Sequence, residues 1–164
     1  MSTLPLTAPF TTLGSFQDLC DYLAQEGVAH SPSPDAQVTE IPTATGLPMA
    51  LRWEANVPLL QIVQLVEIEI PEARLGEAEH KLALLNHAAP LAGFALDHTR
   101  RFIYFRLTLL RDDQDTVAVA ALERHMRAVL ANVHDYIALL HPAAAEAPAP
   151  DLNGVAADPA PAAG

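Results

Sequence analysis

A long amphipathic helix near the end of the chain constrains the fold more than any other feature. Its apolar residues recur at alternating intervals of three and four, the spacing of one helical face. They are Val119, Leu122, Met126, Val129, Val133, Tyr136 and Leu140. A helix of roughly 25 residues is about 38 Å long. A single apolar stripe of that length is best buried against a broad layer, such as a β-sheet.

Acidic residues and a proline mark the two ends of this helix. Asp112, Asp113 and Asp115 precede the stripe, where carboxylates accept hydrogen bonds from free amides and meet the positive end of the helix dipole. Pro142 follows the stripe, and proline does not continue a helix. We therefore predict that the helix begins at the aspartates and ends before Pro142.

Two further helices are predicted earlier in the chain. The first begins after Ser15, which has Asp18 three residues later in a capping-box arrangement, and it ends at Gly27. Its buried face is Phe16, Leu19, Cys20 and Leu23. The second begins at Pro71 and Glu72, a proline and an acid suited to a first turn, and ends at Pro90. Its buried stripe is Leu75, Ala78, Leu82 and Leu85.

Alternating apolar residues predict the strands. They are a weak strand at Gln37–Ile41, a strand containing Met49, Leu51 and Trp53, a long strand at Leu60–Ile70, and a hairpin of Gly93–Asp97 with Arg101–Leu110. The order of elements is α-β-β-β-α-β-β-α. Helices between antiparallel hairpins indicate an α+β fold, with the helices packed mainly on one face of an antiparallel sheet.

The opposite face of that sheet carries apolar residues that need a cover. Val63 and Leu65, together with Phe102 and Tyr104, have the parity of the face away from the helices. A half-buried strand is usually polar there, and a contiguous apolar patch usually marks an interaction surface. We predict these four residues to bind another protein chain, through a segment on this face or at a strand edge. The alternative is that the N-terminal arm or the first helix covers them.

Composition divides the chain into three parts. Residues 1–14 form a flexible N-terminal arm, 15–141 a single domain, and 142–164 a disordered Ala/Pro-rich tail with too little apolar surface to fold. Twenty acidic residues against nine basic ones give a net charge of −11, which disfavours nucleic acids and anionic membranes as partners and favours a basic one. No secretion signal or apolar stretch of about 18 residues occurs, so we expect a cytoplasmic protein.

The residues that could support catalysis or metal binding are poorly spaced for either. His80 and His87 are seven residues apart, about 10.5 Å along a helix, and His125 and His134 are nine apart. Neither pair has the i,i+3 or i,i+4 spacing of a helical metal site. Cys20 lies on a buried helix face, which is typical of a core thiol. We expect no enzymatic activity, no catalytic or metal site and no cofactor.

Three arginines form the basic concentration of the sequence. Arg100, Arg101 and Arg106 flank the hairpin. They either dock an acidic ligand or simply counter nearby acids, and the second interpretation is favoured.

The second half of the domain resembles a known family. Leu84-Leu85-Asn86 leads into Pro90-Leu91-Ala92-Gly93-Phe94-Ala95-Leu96-Asp97, followed by the arginine-flanked strand Arg101–Leu110 and the long last helix. This order is similar to that of the YbjN family of proposed bacterial sensory transduction regulators, and to type III secretion chaperones, which share the fold. The resemblance covers residues 15 to 140. It implies no catalytic residues, and the chaperone likeness implies homodimers that bind an extended stretch of a client.

Three functions remain open at this point. The first is a YbjN-like regulator or chaperone-like module, homodimeric, that acts through protein contacts. The alternative is a dedicated type III secretion chaperone that binds an effector. The third, from a different class, is a metal-dependent or small-molecule enzyme that uses the histidines.

Overall fold

The computed structural model describes residues 9–89, 91 and 93–140, with backbone alone for the last five. The elements follow in the order β1 (Thr12–Leu13), α1 (Phe16–Gln25), β2 (Ser31–Ser33), β3 (Val38–Ile41), β4 (Met49–Trp53), β5 (Leu59–Glu67), α2 (Leu75–Ala88), β6 (Phe94–Asp97), β7 (Phe102–Leu110), β8 (Val117–Ala118) and α3 (Val119–Leu140). Short 3₁₀ turns precede β3 and α2.

Six of the strands form one antiparallel sheet. Its order is β2-β3-β4-β5-β7-β6, and every neighbouring pair is antiparallel. The two long strands, β5 and β7, pair along most of their length in the middle of the sheet. β1 and β8 form a separate two-stranded ribbon. The predicted α+β class and antiparallel sheet are confirmed.

The three helices pack on one side of the sheet, as predicted. α3 lies against β5 and β7, and α2 lies against β6. Strand residues that face them are fully buried, among them Leu51, Ile62 and Phe105. These residues and the buried stripes of the helices form a single core. The core therefore uses the stripes expected from the helical periodicity, on α3 as far as Val133. The side chains of Tyr136 and Leu140 lie outside the described part of the structure.

The predicted ends of α1 are confirmed in the structure. Ser15 is the N-cap, and its Oγ accepts a hydrogen bond of 3.1 Å from the amide of Asp18. The carboxylate of Asp18 accepts a hydrogen bond of 2.9 Å from the amide of Gly14, one residue before the cap. After the helix, Gly27 has a φ of 68°, a left-handed conformation that glycine adopts without steric cost.

The aspartates before α3 do not cap it, contrary to the prediction. Asp112 folds a turn, accepting hydrogen bonds from the amides of Gln114 and Thr116 and from the Thr116 hydroxyl. The bonds from Thr116 hold the pKa of Asp112 below its ordinary value. The chain then forms β8, whose Val117 is buried opposite Leu13. α3 begins only at Val119, because the turn at Asp112 and then β8 occupy the residues before it.

The predicted strand at Leu60–Ile70 is wrong at its C-terminal end. The β5–β7 register shifts between Leu65 and Glu67, as in a β-bulge, where one extra residue ends regular pairing. β5 stops at Glu67, and Ile68 is 49% exposed rather than in the core. Glu69, expected on the strand beside Glu67, has a left-handed φ of 58°.

The short strands β1, β2 and β8 were not predicted. β1 falls within the stretch assigned to the N-terminal arm, yet Leu13 is fully buried and the Thr11 carbonyl accepts a hydrogen bond from the amide of Val119. Strands of two or three residues carry no periodicity to detect. Residues 1–8 of the predicted arm, and the predicted tail at 142–164, lie outside the described residues. Among the described helices, none is both long and apolar enough to cross a membrane.

Candidate functional site

The face of the sheet that points away from the helices, called the second face below, is the candidate site. Directly paired strand residues share a face, so the register assigns its rows. One row is Ala50, Val63 and Arg106. The next is Leu65, Tyr104 and Ala95. Beyond it lie Phe102 and Asp97.

The structure brings the four predicted residues together on this face. Leu65 pairs directly with Tyr104 across β5 and β7, and Val63 stands two positions before Leu65. The rings of Phe102 and Tyr104 meet edge to face, with centroids 5.6 Å apart. All four side chains are half-buried, and none belongs to the core that the helices cover. They form a cluster on the surface of the sheet.

Two further apolar residues on this face were not assigned to it from the sequence. Leu59 pairs with Leu110 at the far end of the same two strands, and Leu110 is 77% exposed. Each is an even number of positions from the predicted residues on its own strand, so it faces the same side of the sheet. This alternation is the signal that could have identified them. With them, the apolar stripe comprises Leu59, Val63, Leu65, Phe102, Tyr104 and Leu110, and the polar pair of Gln61 and Thr108 forms one row within it. From Leu110 to Phe102 it runs about 27 Å, at roughly 3.4 Å per residue.

The basic residues near the stripe fall into two groups. Arg52 pairs with Glu54 at 2.9 Å, and Arg74 pairs with Glu67 at 3.4 Å. Arg100, Arg101 and Arg106 are exposed and have no ion pair among the described residues. The favoured interpretation was that these three arginines counter nearby acids. No ion pair in the described part of the chain supports it.

The β6 edge of the sheet is partly closed by a side chain of α2. Asn86 Nδ2 donates to the carbonyl of Phe94 at 2.8 Å, and Asn86 Oδ1 accepts from the amides of Phe94 and Gly93 at 2.9 and 3.1 Å. The side-chain amide of Asn86 thus binds the backbone groups to which an added strand would hydrogen-bond. This gives a structural reason for the Asn of the Leu84-Leu85-Asn86 motif.

The opposite edge is equally unsuited to strand addition. β2 has only three residues, Ser31–Ser33, and Pro32 at its centre has no N–H to donate. Because both edges are short and obstructed, the second face is the larger surface that the sheet offers to a partner.

The histidines and the cysteine of the described residues lie apart from one another. No group of three or more His, Cys, Asp or Glu among them could hold a metal ion. Burial, and then the charge of Asp21, raises the pKa of the Cys20 thiol, which disfavours the reactive thiolate. His98 pairs with Glu79, and His125 bonds the Ala121 carbonyl of its own helix.

The fold is shared with two solved structures. YbjN, a proposed transcription regulator from E. coli, superposes with a TM-score of 0.60 at 12% identity, covering 78% of this chain and 93% of that chain. A chain of the HopA1–SchA chaperone–effector complex superposes with a TM-score of 0.51 at 17% identity, covering 74% and 93%. No protein-family model matches the sequence, and no curated protein matches it either. The predicted resemblance is thereby confirmed for the fold.

Proposed function

We propose that this domain is a non-enzymatic protein-binding module, a YbjN-like regulator or chaperone-like protein that acts in the cytoplasm through protein contacts. One observation carries the proposal. The apolar stripe of the second face lies outside the core, on the side of the sheet away from the three helices. A cluster of apolar side chains at the surface, outside the core, is typical of a binding site on a protein.

The free energy gained by burying the stripe limits how tightly the stripe can bind a partner by itself. Burying roughly 300 Å² of apolar surface contributes about 8 kcal/mol at 25 cal/mol per Å². Association costs on the order of 4–15 kcal/mol in lost freedom of motion. The apolar contact by itself therefore supports weak binding, and a tight complex needs polar contacts as well.

Two occupants of the stripe fit this proposal. One is a second copy of the chain, which would make the homodimer expected from the sequence. The other is a segment of a different protein. The similarity to a chain of a chaperone–effector complex favours the second candidate function, a dedicated type III secretion chaperone, in which that segment belongs to an effector.

The experiment that tests the proposal compares one charge placed on two faces of the protein. Val63→Asp introduces a carboxylate into the stripe, and Ala120→Asp introduces one on the exposed side of α3. Both variants and the parent chain are examined by circular dichroism and light scattering. Each is also used to capture partners from extracts of the source cells.

We expect both variants to fold, because both positions lie outside the core, and only Val63→Asp to lose self-association or a captured partner. Two results would contradict the proposal. One is that Val63→Asp unfolds while Ala120→Asp does not, which would make Val63 an ordinary core residue. The other is that the two variants associate and capture proteins as the parent does.

A further inference from the structure

The unpaired positive charge of this acidic protein is concentrated beside the apolar stripe. Of nine basic residues, five form ion pairs with acids: Arg52, Arg74, Lys81, Arg111 and Arg127. Among the described residues the other four, Arg100, Arg101, Arg106 and Arg124, form none. Three of these four belong to the β6–β7 hairpin, and only Arg124 lies elsewhere, on α3. A chain with a net charge of −11 thus leaves most of its unpaired cations in one place.

Arg106 is the best placed of the three to meet a partner. It stands on the second face directly opposite Val63, and two positions from Tyr104. On its other side the neighbouring backbone is that of Gly93, which has no side chain to cover it. The unpaired acid in the same row, Glu40, is three strands away, about 14 Å at the usual strand spacing. No acid among the described residues pairs with this guanidinium, so it can pair with a carboxylate brought by a partner.

A second copy centred on the stripe with its axis across the strands does not satisfy that arginine. A two-fold interface presents the same patch from both sides. With the axis at the row of Val63 and Arg106, Arg106 of one copy meets Arg106 of the other. Like charges brought together in a partly desolvated interface are unfavourable. Although the net charge of −11 of the whole chain favours a basic partner, the arginines beside the stripe favour a different, acidic partner at this face.

The sheet also restricts the backbone conformation of the partner. The central strands hydrogen-bond to one another, so the second face offers a partner few free backbone donors or acceptors. A partner that lies there must satisfy its own N–H and C=O groups, and an α-helix does so internally. The 27 Å of the stripe corresponds to about 18 helical residues at 1.5 Å each.

We propose that the second face binds an amphipathic acidic helix of another protein. Its apolar side packs along the stripe on β5 and β7, and a carboxylate next to that side pairs with Arg106. Arg101, which precedes Phe102 at the end of the stripe, receives a second acid. This inference rests on the proposed function and names the chemistry of the partner.

The test uses three synthetic helical peptides that share one leucine stripe. They carry glutamate, glutamine or lysine at the positions that flank the stripe. Binding to the parent chain, to Arg106→Glu and to Arg124→Glu is measured by fluorescence anisotropy at low and at physiological salt. Arg124→Glu is the matched control, because it makes the same change of net charge at an exposed arginine on the helical side of the molecule.

We expect the parent chain to bind the glutamate peptide about five- to tenfold more tightly than the glutamine peptide, as a partly buried ion pair would give. Arg106→Glu should reverse the preference toward the lysine peptide, and Arg124→Glu should bind like the parent. Equal effects of the two substitutions would overturn the inference, since net charge alone would then explain them. Binding of none of the peptides would overturn it as well.

Failure of this inference differs from failure of the proposed function. If Val63→Asp abolishes association but the charge at position 106 has no effect, the stripe binds a partner and the acidic helix is wrong. If Val63→Asp dissociates a homodimer that excludes the peptides, the occupant is a second copy of the chain.

Discussion

The guanidinium carbon of Arg111 lies 4.6 Å from the centroid of the Trp53 ring, in a cation–π contact below the surface of the protein. The same guanidinium donates through Nη2 to the carbonyls of Glu54 and Val57, at 2.7 and 2.6 Å, and its Nε lies 3.0 Å from a carboxylate oxygen of Asp115. Only 3% of the side chain is exposed. One arginine therefore holds the β4–β5 turn, the end of β7 and the loop before β8 together.

Replacing this arginine should weaken the fold even when its charge is kept. In Arg111→Lys a compact ammonium replaces the planar group that stacks on Trp53 and reaches two carbonyls. We expect a loss of about 2–3 kcal/mol in the free energy of unfolding, measured by urea denaturation. Arg124→Lys, at an exposed position on α3, should change it by less than about 0.5 kcal/mol. Equal stability of the two variants would contradict the role of the contact.

Gly93 is required by the close approach of β7. A Cβ at this position would lie 2.5 Å from the Arg106 carbonyl oxygen and 3.0 Å from two carbons of the Phe105 ring. We expect Gly93→Ala to lower the free energy of unfolding by about 1–3 kcal/mol. Gly76→Ala, where a Cβ on α2 meets nothing within 4 Å, should raise it by about 0.5–1 kcal/mol. Urea denaturation of the two variants and the parent chain measures these opposite changes in the free energy of unfolding. If Gly93→Ala left this free energy unchanged, the two strands would be able to move apart and accommodate the methyl group.

Asn86 should control the stability of the β6 edge. Asn86→Ala removes the hydrogen bonds of the Asn86 side chain to the amide and carbonyl of Phe94, at a cost of about 2–3 kcal/mol. Hydrogen exchange of the Gly93 and Phe94 amides should accelerate beyond the global change. His87→Ala, at an exposed position on the same helix, is the control and should leave exchange in β6 unaltered. Unchanged protection of Phe94 in Asn86→Ala would show that another group closes this edge.

Tyr22 should make the stability of the protein depend on alkaline pH. Burial, and then the hydrogen bond of 2.8 Å from its hydroxyl to Glu123, raise the pKa of Tyr22 well above its ordinary value. Tyr22 in the unfolded chain loses its proton above about pH 10, while folded Tyr22 keeps it. Its stabilising contribution is therefore complete below about pH 10 and is lost as the pH rises further.

Substitution by phenylalanine measures this contribution. At neutral pH, Tyr22→Phe should unfold about 1 kcal/mol more easily, and the difference from the parent should shrink above about pH 10. Thermal unfolding over this range gives the measurement. Tyr104→Phe, which removes a hydroxyl that makes no hydrogen bond with the described residues, is the control. A difference that stayed constant with pH would show that Tyr22 titrates normally in the folded protein.

Short-range patterns were sufficient to predict much of this protein from its sequence. The 3–4 spacing of α3 identified the stripe that the core buries, and the cap at Ser15 with Gly27 placed both ends of α1. Alternation along β7 put Phe102 and Tyr104 on the face away from the helices. Each of these features depends on neighbours within a few positions, where side-chain direction follows directly from helical or strand geometry.

Pairing between distant segments decided the rest. Because of the bulge after Leu65, Ile68 is exposed instead of lying in the core. Because β1 pairs with β8, Leu13 is buried, although it was predicted to belong to the flexible arm. The same long-range register placed Arg106 opposite Val63 without an acid beside it, and brought Arg111 to carbonyls more than fifty positions away. The sequence alone determined which residues are apolar and how they repeat. Only the tertiary structure decided which face the described part of the chain leaves uncovered and which charges it leaves unpaired, because both depend on segments that meet only when the sheet forms.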